Sequence, residues 1–125
     1  MYEDFQVTGR WSGEPLHCSW KGTVVAVATR HADAVDVRFD VNGRPLSIAL
    51  PLEAWGQHKS LTGKVITDQI AVQVAGRFLK QLIDEGSEAQ REIHTMTVAE
   101  VLSHLDAVVA EARQRGGMPA LPVGI

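Results

Sequence analysis

Residues 34–51 read AVDVRFDVNGRPLSIALP, and the fold turns on how this stretch pairs with itself. Asn42-Gly43 at its centre is the strongest short hairpin signal, because a type I′ turn needs positive φ at both central residues. Folding about that dipeptide pairs Phe39 with Leu46, Val37 with Ile48 and Val35 with Leu50. These six apolar side chains then share one face. Asp36, Arg38 and Asp40 oppose Ala49, Ser47 and Pro45 on the other. A slip of one residue would send the whole apolar set into water, so the register is well specified. Pro45 falls in a non-hydrogen-bonded pair with Asp40, its missing N–H turned away from the partner strand. The 46–50 strand is therefore expected to be a sheet edge near its start.

Toward the N-terminus, Phe5 and Val7 alternate with Gln6 and Thr8 as a short first strand. Residues 9–15, GRWSGEP, form a loop on their glycine and proline content. Residues 16–30, LHCSWKGTVVAVATR, read as a longer strand, bulged at Gly22. From Thr23 onward neither of its faces is polar, which marks a central strand or one with its back covered. His31-Ala32-Asp33 turns the chain into the hairpin, giving an antiparallel meander.

Toward the C-terminus, the spacing predicts a short helical turn over 52–55 and a polar connector over 56–64. Thr67-Asp68 opens a long amphipathic helix with apolar columns at spacing four: Ile70, Val74, Phe78, Leu82, beside Ala71, Ala75, Leu79, Ile83. Gly76 lies inside it, where close packing against the sheet would explain a residue costing up to about 1 kcal/mol relative to alanine. Gly86 ends it. Residues 91–95 add a short edge strand. Thr97 then starts a second helix with a capping box to Glu100 and a staple of Met96 against Val101. Arg113 and Arg115 suit its C-terminus, and Gly116-Gly117 stops it. The expected fold is α+β: an antiparallel meander of three to five strands with two amphipathic C-terminal helices packed on one face. Residues 1–117 form a single domain, followed by an apolar, proline-containing tail over 118–125.

Composition narrows the function classes. The chain has 125 residues and a net charge of −3, enough for one core and with no basic cluster for phosphates, so nucleic acid is not an expected partner. Cys18 is the single cysteine, which rules out an internal disulfide and suits a reducing compartment. The first residues lack the basic start and apolar core of a signal peptide, and no apolar run approaches a membrane span; a cytoplasmic protein with no membrane partner is expected.

Little chemistry is written into the motifs. His17, His31, His58, His94 and His104 share no metal-ligand spacing, so no metal and no cofactor is expected. Cys18 lacks the surroundings of a catalytic cysteine and reads as a small buried hydrophobe. His104, one turn after Glu100, reads as half of a solvated ion pair. Asp36 and Asp40 flank Arg38 as on a solvated strand face, and the glycines form no phosphate-binding loop. Nothing points to an enzyme. Trp11 and Trp55 lie in or beside loops, where tryptophan is enriched in interfaces and pockets, and also where it closes the ends of a core.

Two function classes follow. The first is association, as a homodimer or with a protein partner, supported by the second face of residues 24–28, the hairpin edge and the apolar tail. The alternative is a small-molecule site, binding or catalytic, framed by Trp11, Trp55 and His58.

Overall fold

The computed structural model describes residues 1–26 and 33–114. Five strands form one sheet in the order β1 (Asp4–Thr8), β2 (Pro15–Ala26), β3 (Ala34–Val41), β4 (Arg44–Pro51), β5 (Ile93–Thr95). Helices α1 (Glu53–Thr62) and α2 (Asp68–Glu85) lie between β4 and β5 in the chain, and α3 (Val98–Gln114) follows β5. The α+β class is as expected. The strand continuation over 27–30, the residues His31 and Ala32, the helix stop at Gly116-Gly117 and the tail fall outside the described residues.

The β3–β4 hairpin has the expected register, with Phe39 opposite Leu46, Val37 opposite Ile48 and Val35 opposite Leu50. All six side chains are buried. Asn42 (φ 50°) and Gly43 (φ 86°) supply the two positive dihedrals that a type I′ turn demands. Asn42 also fastens the turn to β2: its Oδ1 accepts from His17 N at 2.6 Å, and its Nδ2 donates to Pro15 O at 3.3 Å. A register shift between Trp20 and Gly22 is the expected bulge.

One face of this sheet takes the helices. α2 lies across β1 to β4, and α3 packs on α2 and β4. Thr67 caps α2 by accepting from Ile70 N at 3.3 Å, and Gly86 closes it at φ 74°. The capping box of α3 is present in both halves: Glu100 N donates to Thr97 Oγ1 at 3.1 Å and Thr97 N to Glu100 Oε1 at 2.9 Å. Met96 and Val101 are both buried in the same core.

Four features differ from expectation. The helical turn predicted over 52–55 continues through the supposed connector as α1, which ends on Gly63 in the left-handed region. Only Ala54 of α1 is fully buried, so its sequence carries almost no apolar periodicity to betray it. β5 runs parallel to β4, against Ser47–Ala49, which interrupts the all-antiparallel pattern. It also covers the edge that Pro45 alone was expected to protect: Ser47 N donates to Glu92 O and Met96 N to Ala49 O. Gly76 faces Tyr2, ahead of β1, and not the sheet itself. A Cβ there would stand 2.9 Å from Tyr2 O. Tyr2 N donates to Gln73 Oε1 at 3.0 Å, so the chain leaves β2 at this point and crosses onto α2.

Candidate functional site

That departure leaves part of the outer edge of β2 without a neighbouring strand among the described residues. β1 covers β2 from Pro15 to Ser19, and one further bond joins Trp20 N to Glu3 O. From Lys21 to Ala26, β2 has β3 on one side and no strand on the other among the described residues. Alternation puts Thr23 and Val25 on the helix side, opposite Val37 and Val35, and Val24 on the other side, opposite Asp36. Val25 is 61% exposed and Val24 42%. Trp20, 41% exposed, donates from Nε1 to Thr23 Oγ1 at 3.1 Å, across the bulge. It also lines a hollow of about 310 Å³ with Glu3, Asp68, Gln69 and Val72. An open edge flanked by exposed apolar side chains on both faces is a template for another strand.

The three residues expected to frame a pocket are placed apart. Trp11 is 78% exposed and caps the C-terminal end of α2, its Nε1 donating to Gly86 O at 3.1 Å. Arg10 joins it there, stacked 5.4 Å from the ring and donating to Asp84 O at 3.3 Å. Trp55 is partly buried against the core and donates from Nε1 to Ile66 O at 2.9 Å, just ahead of the start of α2. The two tryptophans therefore serve opposite ends of a helix about 27 Å long. His58 faces a cleft of about 360 Å³ with Thr62, Leu105, Val109 and Arg113, and neither tryptophan lines it.

The outer side of α2 holds a polar chain that sequence patterning did not single out. Arg77 donates from Nε to Glu111 Oε1 and from Nη1 to His104 Nδ1, both at 2.9 Å. Tyr2 OH donates to the other oxygen of Glu111 at 3.5 Å. Burial, then the Glu111 carboxylate, push the Tyr2 phenol above its usual pKa. A hollow of about 450 Å³ lies over the chain, lined by Tyr2, Arg77, Glu111 and residues of the last turns of α2. His104 is only 6% exposed, edge-on to Phe78 with centroids 5.7 Å apart, and so is not a solvated partner of Glu100. Its position was readable: three residues after Val101 and four before Val108, it falls on the buried stripe of α3.

Cys18 is fully buried, and burial, with the Glu88 carboxylate nearby, pushes its thiol up to about 12. A thiol held neutral in this way is no nucleophile. Glu88, in a 3-10 turn after α2, leaves Oε2 buried with no hydrogen-bond partner. An unsatisfied buried oxygen costs about 1–3 kcal/mol. Glu88→Met is therefore expected to stabilise the fold by about 1 kcal/mol in urea unfolding. A loss of stability in that variant would contradict this reading.

Among the described residues, no group of three His, Cys, Asp or Glu side chains could hold a metal ion, and no helix is long and apolar enough to cross a membrane. Comparison with protein-family models, curated proteins and solved structures finds no match.

Proposed function

We propose that this protein acts by association, and that a second copy pairs with it along the open edge of β2. The observation that carries this reading is the run from Lys21 to Ala26, which has no strand on its outer side among the described residues, with Trp20, Val24 and Val25 exposed beside it. Strand addition supplies backbone hydrogen bonds over the run, and the flanking side chains supply specificity.

The edge is self-complementary. Residues directly opposite in an antiparallel pair share a face, so a two-fold axis at Val24 sets Val24 on its own copy and Thr23 on Val25 of the partner. The residues that meet are all β-branched, the type that fits a pleated, half-buried surface. In this register Lys21 does not meet its own copy, and no like charges oppose each other over 22–26.

Val24→Lys tests the arrangement, because it sets two ammonium groups against each other at the axis. Sedimentation at micromolar concentration is expected to give a dimer for the native chain and at least about a tenfold weaker one for the variant, equivalent to 1.4 kcal/mol. Val24 is already solvent-exposed, so the circular dichroism spectrum should stay unchanged. A monomeric native protein, or a variant that dimerises equally well, would overturn the proposal.

A further inference from the structure

His104 ends a continuous run of hydrogen bonds that joins the N-terminal segment, α3 and α2. Its Nδ1 accepts from Arg77, Arg77 holds Glu111, and Glu111 receives the Tyr2 hydroxyl. Because the guanidinium only donates, Nδ1 must be bare and the neutral ring must carry its proton on Nε2. A second proton would set an N–H against an N–H at 2.9 Å, with positive charge facing positive charge. The ring could not keep both the proton and Arg77.

We propose that His104 is an acid release for the contact between α2 and α3: protonation at Nδ1 breaks the bond from Arg77 Nη1 and sets two positive charges against each other across that contact, leaving Arg77 held by Glu111 alone. The groups that face the ring pull in opposite directions. From α2 come Arg77 and the apolar Phe78. From α3 come the Glu100 and Glu111 carboxylates, which favour the charged form. Burial and Arg77 oppose them and prevail, so the pKa of His104 lies below that of a free imidazole. α1 and β4 also pack on α3, and no ionisable group on either acts on the ring.

The sign follows from proton counting. With the folded pKa below the unfolded one, at about 6.5, the unfolded chain binds more protons between the two values. Stability therefore falls as pH drops from about 6.5 toward the folded pKa. Just below pH 6.5 ordinary carboxylates are still ionised, so the upper part of this window belongs to histidines.

Two measurements test the device. Long-range ¹⁵N NMR of the native protein at pH 7.5 should report His104 with Nε2 protonated and Nδ1 bare. Thermal unfolding between pH 7.5 and 5.0 should show the native melting temperature dropping further than that of His104→Gln. A charged ring, or a proton on Nδ1, at pH 7.5 would overturn the proposal without any variant. Identical pH profiles for the native protein and His104→Gln would do the same.

Discussion

Phe39→Ala is expected to cost about 3–5 kcal/mol, the range for emptying a buried aromatic site. Phe39 is 2% exposed, sits opposite both Trp20 and Leu46, and is central to the sheet. Its ring stands edge-on to Phe5 at 6.4 Å, and Phe5 in turn meets Tyr2 edge-on at 5.5 Å. The cavity would therefore undermine the packing of β1 as well as the hairpin. A chain of this length has a total stability of roughly 6–19 kcal/mol, so the loss is a large share of it. Urea unfolding should show the midpoint falling by about a sixth or more at unchanged slope. A change below about 1 kcal/mol would mean that Phe39 is not at the centre of the core.

Gly43→Val should cost about 2 kcal/mol, for a different reason. Nothing lies within 4 Å of where its Cβ would stand, so crowding by neighbours contributes nothing. The cost is the backbone: at φ 86° an L-residue is strained, and a β-branched one most of all. Relaxing that strain would also disturb the bond from Gly43 N to Asp40 Oδ2 at 3.0 Å. Gly43→Asn separates the two effects, since asparagine tolerates this region and should lose less than half as much. Equal losses in both variants would point away from the dihedral and toward some other role of Gly43.

The parts of the fold legible in the sequence are those with a strong local rule. Asn42-Gly43 and the alternation around it specify β3 and β4 down to each pair, and Thr97 with Glu100 marks the start of α3. α1 was hidden because it buries a single full residue, and a helix lying on the surface has no stripe to read. The direction of β5 was hidden because three residues carry no signal for parallel against antiparallel pairing. The open edge of β2 depends on Tyr2 crossing to Gly76, a contact between segments far apart in the chain. The apolar faces from Thr23 onward were visible, but the missing neighbour was not. The same limit applied to His104, where its stripe position was readable while Arg77, on another helix, was not.

The parallel pairing of β5 also bears on the order in which the chain assembles. Ser47 and Ile93 pair across 46 positions, whereas β3 and β4 meet over a two-residue turn. Closing the longer loop costs roughly 3 kcal/mol more in chain entropy, by the logarithmic scaling of loop closure. The hairpin can therefore form from local contacts alone, and β5 with α3 joins once α2 has gathered the chain. His104 rides on that late-joining segment. Its bond to Arg77 ties that segment back to α2 across 27 positions of the chain.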